Sequence, residues 1–570
     1  MILQKLILPI DTEYPDLYYR GDVSLADTDI VSFDTYYNSF SYTRYRDYTS
    51  MEDITFTCAI NGEALVQLCV FDGCEHIIDA ANGKGNISVS AKLSALPQNG
   101  FIYPKITALS ECEIISGNYS SECSYRDINV CIACCTFKRE KYILKNIEQL
   151  RSSEFSFINR VFVIDNGQTL DCETLSDDFI SVLPNKNYGG SGGFTRGLIE
   201  AYDGKYSHVI LMDDDVEFHS ETIEQMTVFM SLLSEGHKES WFSAAMLRLD
   251  TPWFQHELGA KWDGRITSLK HGNDVRVQEL LLDNLNNCDV DYGAWWCLCM
   301  PTSIIVESGL PLPLFIKFDD IEYGLRKPKG TEVITMNGIA VRHEAFDKKE
   351  SFVVDYYSFR NETLAMLLYK KNSRSEIIRR FVFEIGRQMT RFRYDNIPLI
   401  LRAADQILSG ADFFLNCDEE QNNKEISALV IKLVPLDTIQ GYSDDIKHDH
   451  FPANRKIWRI MAITLGGHLI PCFMLKKELI AIPMVHISGA DMYRRKAVIQ
   501  YQLSDDSGVL LKRSFGKFVK YGFKTVGMIF KILFRYKKVK KDLINRKDQI
   551  TSQEFWRKRL GIEHHEKITS

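Results

Sequence analysis

His208-Val-Ile-Leu-Met-Asp-Asp-Asp-Val-Glu217 drives four apolar residues straight into three consecutive carboxylates. A short apolar run without polar alternation reads as a strand covered on both faces. Three adjacent carboxylates at its end repel one another unless positive charge sits among them. In extended chain Asp213 and Asp215 point the same way, so the pair can grip one divalent ion with hard oxygen ligands. The same run would also serve as an acidic loop capping the next helix, but its apolar lead-in favours the metal.

Upstream, the same grammar repeats. Asn129-Val-Cys-Ile-Ala-Cys-Cys135 is another buried-strand run, followed by the polar turn Thr136-Phe-Lys-Arg139 and a helix to about Leu150. Arg160-Val-Phe-Val-Ile-Asp165 is a second strand, ending in Asn166-Gly167, and Phe179 to Leu183 a short third. Strand, turn and helix alternating at this spacing predict a parallel sheet with crossover helices. Ligands on such sheets lie beyond the carboxyl ends of the strands, where Thr136, Asp165 and Asp213 stand. Between the third and fourth strands, Asn187-Tyr-Gly-Gly-Ser-Gly-Gly-Phe-Thr-Arg196 lets backbone approach a ligand closely and opens a helix whose free N–H groups suit a phosphate or a sugar. A flexible turn is the plainer reading. The segment follows the third strand, so it is neither a Walker loop nor a dinucleotide fingerprint.

Downstream lies a second carboxylate group, Phe315-Ile-Lys-Phe-Asp-Asp-Ile-Glu-Tyr-Gly-Leu-Arg326. Asp319 and Asp320 at the mouth of a helix suit an N-cap, and also a general base aimed at a hydroxyl. Tyr292-Gly-Ala-Trp-Trp-Cys297 offers paired indoles for the apolar face of a sugar, or for a core. Val341-Arg-His343-Glu ends another apolar run, and His343 would complete the metal's protein ligands. Its case rests on its company.

Further out, the 570 residues are too many for one ordinary core and suggest three or four domains. The 45% hydrophobic and 25% charged composition excludes a disordered chain. Residues 1–125 read as a β-sandwich, with alternation in Ile54–Ile60, Ala64–Val70 and Asn86–Leu93 bounded by Asn61-Gly62 and Asn82-Gly83. The cluster Phe33, Tyr36, Tyr37, Phe40 and Tyr42 suits a carbohydrate platform or a packed seam between domains. Residues 126–352 form the α/β domain. Residues 353–510 read as helical, with helices over 356–370, 375–393 and 397–408 and polar loops at 416–424 and 444–450. No leader peptide is expected, and the most apolar stretch, 460–475, is too short and too broken to span a bilayer. The 14 cysteines fall mostly in apolar runs, which implies reduced thiols in a cytoplasmic protein.

The tail, residues 511–570, differs. Between Lys512 and Lys547 stand 13 of the chain's 68 Lys and Arg but only one of its 76 acids, Asp542. This argues against general nucleic-acid binding and for a local anionic partner. Numbered as a helix, Lys517, Lys520, Lys524, Lys531, Arg535 and Lys538 fall on one stripe. Phe515, Phe518, Val519, Val526, Ile529, Phe530 and Leu533 lie opposite. That is the pattern of an interfacial anchor on anionic lipid, or of a helix docked on the body.

The ordered set TFKR, IDNG, NYGGSGGFTRG, MDDD, HELGA, WW, FDD and H, spread over residues 128–345, resembles the bacterial galactofuranosyltransferase family. These are inverting GT-A-fold glycosyltransferases that include the mycobacterial galactan-polymerising enzymes. The resemblance implies a GT-A catalytic domain between a β-sandwich and a helical C-terminal region. Thr136, Arg139, Asp165, Gly167 and Asn187 would then hold the uridine diphosphate, with Asp214 beside them. Asp213, Asp215 and His343 would bind Mn²⁺ or Mg²⁺. Asp320 would be the catalytic base with Asp319 next to it, and Glu257, Trp295 and Trp296 would contact sugar. The donor implied is UDP-galactofuranose. The acceptor would be a lipid-linked glycan of O-antigen or galactan type, met at the cytoplasmic face of the inner membrane, and the chain could form a homo-oligomer. A related hexosyl- or rhamnosyltransferase, a catalytically silent carbohydrate-binding scaffold and a metal-dependent nucleotidyl transferase or phosphohydrolase remain open at this stage.

Overall fold

The computed structural model describes the chain except residues 10–11, 346–349, 449–454, 486 and 563–570. It divides into two compact units. One is Met1–Pro311 with Asp320–Glu344; the other is Leu312–Asp319 with Ala345–Ser570.

At the centre of the first unit is a seven-stranded sheet. Its order is Ile180–Pro184, Ile158–Asp165, Val130–Thr136, His208–Asp213, Cys297–Pro301, Trp241–Ser243 and Val333–Ile334. The first four strands are parallel, as the alternation predicts, and Cys297–Pro301 enters antiparallel. Register sets Thr136 against Asp165 and Cys135 against Asp213, so the carboxyl ends form one edge. The glycine-rich segment turns out to be helix rather than loop, spanning Gly189–Asp203. Its glycines serve close packing on the sheet: a Cβ on Gly193 would lie 2.1 Å from the Cys135 sulfur, and one on Gly197 2.5 Å from the Ala133 Cβ.

A smaller four-stranded sheet in this unit runs in the order Glu217–Phe218, Ala340–His343, Ala245–Arg248, Gln255–Glu257. It gathers chemistry that is scattered in the sequence.

Residues 1–120 build a second seven-stranded sheet around the hairpin Asp53–Phe71 and Glu75–Lys92. This hairpin is much longer than the strands read from the sequence, because the expected turn pairs do not turn. Asn61-Gly62 is an irregularity within one strand, and Gly83 pairs with Ala64. Gly62, at φ +116°, passes so close to Cys112 that a Cβ would sit 2.4 Å from that residue's own, so this bulge requires glycine. Phe33, Tyr36, Tyr37, Phe40 and Tyr42 are at most 2% exposed, which makes them a packed seam and no platform. Tyr37 stacks on Tyr18 and meets His219 edge-on, and Tyr45 meets Phe229.

The second unit holds the helices Phe352–Tyr369, Arg374–Thr390 and Ile397–Leu408, as the periodicity predicts. Two features depart from the sequence reading. Glu419–Leu429, expected in part as a polar loop, is a helix capped by Asp418, whose carboxylate accepts from the Gln421 N–H. A four-stranded sheet, Val434–Pro435, Ser507–Lys512, Ala497–Tyr501 and Ala481–Pro483, stands among helices. The expected loop at 444–450 begins with the 3₁₀ turn Asp444–Ile446, and its last two residues lie outside the described ones.

Within the basic tail a 36-residue helix, Phe515–Ile550, is followed by the short helix Gln553–Leu560. Tyr521, Met528, Ile532, Tyr536, Val539 and Leu543 form its buried seam, while Phe515, Phe523, Val526, Phe530, Leu533 and Phe534 are exposed. No described helix is long and apolar enough to cross a membrane. In Leu312–Asp319, Phe315, Lys317 and Phe318 have φ of 69°, 66° and 70°. Each such residue costs about 1–3 kcal/mol of backbone strain.

Candidate active site

The acidic turn sits where the parallel sheet ends. Asp213 closes its strand, and its N–H donates to the Trp296 carbonyl at 3.3 Å. Asp214 is buried, and its carbonyl accepts from the Asn146 amide at 3.0 Å. Immediately beyond, Glu217–Phe218 pairs antiparallel with Arg342 and Val341. That pairing brings the end of Ala340–His343 back to the turn, which explains how a histidine so distant in sequence reaches the aspartates.

Ligand-capable atoms of Asp213, Asp215 and His343 lie within 4.8 Å of one another. His343 Nε2 is 3.3 Å from Asp215 Oδ1, and Nδ1 meets the Glu344 carbonyl at 2.6 Å. A carbonyl only accepts, so Nδ1 carries the proton and Nε2 faces the aspartates; a backbone partner of this kind orients a metal-binding imidazole. Two carboxylates and an imidazole so arranged fit a divalent cation of the Mn²⁺ or Mg²⁺ type.

Arg139, on the turn after the first parallel strand, pairs with Asp214 at 3.1 Å and with Asp215. Burial pushes the Asp215 carboxyl up, but His343 and Arg139 outweigh it and hold it below the usual range. Asp214, more deeply desolvated, is raised. Burial alone would lower the His343 pKa, and its bond to Asp215 raises it instead.

A second carboxylate station lies on the same unit. Asp320 stands in the short helix Asp319–Gly324, half-exposed, with Oδ1 accepting from the Ile321 N–H at 2.7 Å. Glu257, at the end of its strand, is 4% exposed. Burial first, and then the negative charge of Asp320, push its pKa up to about 8, against a 2.6 Å bond from the Ser268 hydroxyl. At neutral pH Glu257 therefore carries a proton. Its Oε1 has no hydrogen-bond partner.

The two indoles separate in role. Trp296 packs in the core and its N–H donates to the Ala244 carbonyl at 3.1 Å. Trp295 is buried as well, at 4% exposed, but its enclosed N–H has no partner, and its ring meets Phe194 and Tyr323 at centroid distances of 5.2 and 6.0 Å. Tyr323 lies on the Asp320 helix, so Trp295 adjoins the second station.

The remaining predicted residues line the first strand ends. Thr136 is buried opposite Asp165. The Asp165 carboxylate is engaged by its own loop, accepting from the N–H groups of Gly167, Thr169 and Leu170 at 2.9, 2.7 and 2.8 Å. Asn187 Oδ1 accepts from the Gly189 N–H at 3.1 Å, at the helix entrance. Asp165, Gly167 and Asn187 thus brace the loops that leave the strand ends. Sequence reasoning passed over Asn146, Ser268 and Tyr292; the pKa of Tyr292 is raised by burial and then by the charges of Asp320 and Glu257. Tyr292 opens the Trp-Trp run, so adjacency was the available signal.

Two family models match the chain: Galactofuranosyltransferase 2 N-terminal over residues 11–122 and Glycosyl transferase family 2 over residues 131–231. The first covers the N-terminal sheet. The second covers the parallel strands and the acidic turn, and the central domain has the GT-A fold. Galactofuranosyltransferase GlfT2 of Mycolicibacterium smegmatis is 24% identical over 433 residues, covering 69% of this chain and 66% of its own length. The Mycobacterium tuberculosis protein of the same name is also 24% identical, with 67% of its length covered. The chain thus spans about two thirds of these curated relatives. Among solved structures, GalNAc-T7 with UDP, GalNAc and Mn²⁺ is similar at 11% identity and a TM-score of 0.33, over 45% of this chain and 50% of that one.

Proposed function

We propose, on its similarity to the galactofuranosyltransferases, that the chain transfers galactofuranose, with inversion, from UDP-galactofuranose to a lipid-linked cell-surface polysaccharide. The observation that supports this most is the convergence of Asp213, Asp215 and His343, from two distant stretches of chain, within 4.8 Å at the sheet edge.

Asp213, Asp215 and His343 would hold Mn²⁺ or Mg²⁺. When bound, the ion supplies Lewis-acid stabilisation of the departing diphosphate. Arg139 offers a second cation beside the same group, and Thr136, Asp165, Gly167 and Asn187 shape the nucleotide pocket, with Asp214 behind them. Asp320 accepts the proton of the acceptor hydroxyl as that oxygen attacks the anomeric carbon, and Asp319 adds negative charge next to it. Attack on the face opposite the diphosphate inverts the centre, and no enzyme nucleophile is needed. Protonated Glu257 can donate a hydrogen bond to a sugar hydroxyl. Trp295, buried against Phe194 and Tyr323, would back the sugar subsite and direct its unpartnered N–H toward it, while Trp296 packs behind it.

The long C-terminal helix supports a peripheral location on the cytoplasmic face of the membrane. Phe523, Phe530 and Phe534 are 76%, 54% and 82% exposed among Lys520, Lys524 and Lys531, which suits an anionic lipid surface carrying the acceptor.

Incubation with Mn²⁺, a short synthetic galactofuranoside and a panel of UDP-galactofuranose, UDP-galactopyranose, UDP-glucose and dTDP-rhamnose tests the reading. Extension of the acceptor by one or more galactofuranosyl units, with UDP released, is expected from the first donor alone. Transfer from another donor would reassign the sugar. Acceptor binding without turnover on any donor would leave a silent scaffold.

A further inference from the structure

Asp320 leaves a backbone that disfavours itself. Three of the four residues from Phe315 to Phe318 occupy the left-handed region, and none is glycine. Bulky side chains avoid that region, so something must hold the loop there.

The clamp is a polar pair on the helix Phe352–Tyr369. Asn361, 1% exposed, directs its amide nitrogen at three loop carbonyls, Leu314 at 3.1 Å, Ile316 at 2.9 Å and Lys317 at 2.8 Å. Arg360, fully buried, donates to Leu314 O at 2.8 Å. Its Nε–H donates to Asn361 Oδ1 at 2.9 Å, which fixes the orientation of the amide. Arg360 is itself held by Glu419 at 3.5 Å and lies over the Tyr357 ring, on which Phe315 stacks at 5.1 Å.

A buried guanidinium and a buried amide are thus committed to the carbonyls of one short loop. Both side chains are sealed from solvent, so neither reaches a substrate. What the loop delivers is its exit: the next two residues are Asp319 and Asp320. On the far side the short helix is anchored separately, by Tyr323 Oη to the Gly309 carbonyl at 3.1 Å and by the buried Arg326–Glu322 pair at 2.9 Å.

We infer that Asn361 is a positioning residue for Asp320, oriented by Arg360, and that it holds Phe315, Lys317 and Phe318 in the left-handed backbone that aims the carboxylate. The inference rests on the proposed role of Asp320 as base.

Replacing Asn361 by Leu keeps the branched outline and removes the donors. The full-length Asn361→Leu protein is expected to lose about thirtyfold or more in kcat, with KM for UDP-galactofuranose and calorimetric affinity for UDP within about threefold. Combined with Asp320→Asn it should lose nothing beyond Asp320→Asn alone, whereas general structural damage would multiply the two losses. Arg360→Lys keeps the charge beside Glu419 but loses the Nε–H on the amide; it is the milder variant should Asn361→Leu fail to fold, and about a fivefold loss of kcat is expected. Folded variants with kcat within twofold of wild type, or with kcat and UDP affinity falling together, would overturn the inference. Full turnover by Asp320→Asn would instead overturn the base assignment, and the inference with it.

Discussion

Two carboxylate stations built from the same residue types have opposite electrostatics. At Asp213–Asp215 the negative charge is met by Arg139 and His343, and Asp215 is held ionised. At Asp320–Glu257 no described cation pairs with Glu257, and burial with the neighbouring charge leaves it protonated up to about pH 8. One station is ready for a cation; the other keeps a proton on Glu257. Paired carboxylates therefore reveal their work through their partners, not their spacing.

The largest effect should come from breaking the first station. Asp213→Asn/Asp215→Asn removes both hard ligands, and turnover should fall at least about a thousandfold, the scale of several kcal/mol of lost Lewis-acid stabilisation. Rate measurement across a Mn²⁺ titration checks it, and retained metal-dependent turnover would contradict the assignment. His343→Ala leaves the carboxylates in place and should weaken Mn²⁺ binding about 10–100-fold, read by calorimetry.

The second station has a pH signature. Folded Glu257 keeps its proton to about pH 8, while the unfolded carboxyl releases it near 4.5, as an ordinary glutamate does. The raised pKa contributes stability that is full below pH 4.5 and lost as pH climbs through 8. Glu257→Gln should flatten that decline, so that its Tm relative to wild type rises between pH 5 and pH 9. A parallel pair of Tm profiles would break the contrast between the stations.

The smallest effects sharpen the division between the indoles. Trp296→Phe should lower stability by about 1–3 kcal/mol through its lost bond and packing, with acceptor KM unchanged. Trp295→Phe, also a buried position, should lower Tm and in addition raise acceptor KM a few-fold. A raised acceptor KM in Trp296→Phe and not in Trp295→Phe would reverse the roles.

Much of the central domain was legible because strands buried on both faces leave unbroken apolar runs, and because Asp213–Asp215 interrupts one abruptly. His343 was readable only by association, since the antiparallel pairing of Glu217–Phe218 with Arg342 and Val341 leaves no local mark. The long N-terminal hairpin was misread as shorter strands because Asn61-Gly62 carries turn chemistry while serving as a bulge. Glu419–Leu429 was read in part as loop because its sequence is nearly all polar and it buries little beyond Ile426 among its apolar residues. Tertiary contacts also separated Trp295 from Trp296, which alternate identically in sequence. Asn361 was invisible for the same reason: its partners are backbone carbonyls, and carbonyls have no sequence.

The most direct test of the two-station account is one comparison on one variant. Asp320→Asn should bind UDP and Mn²⁺ with wild-type affinity while transferring galactofuranose at least about a thousandfold more slowly, since only the proton acceptor has been removed. Wild-type transfer rates, or loss of UDP and Mn²⁺ binding together with the rate, would contradict it.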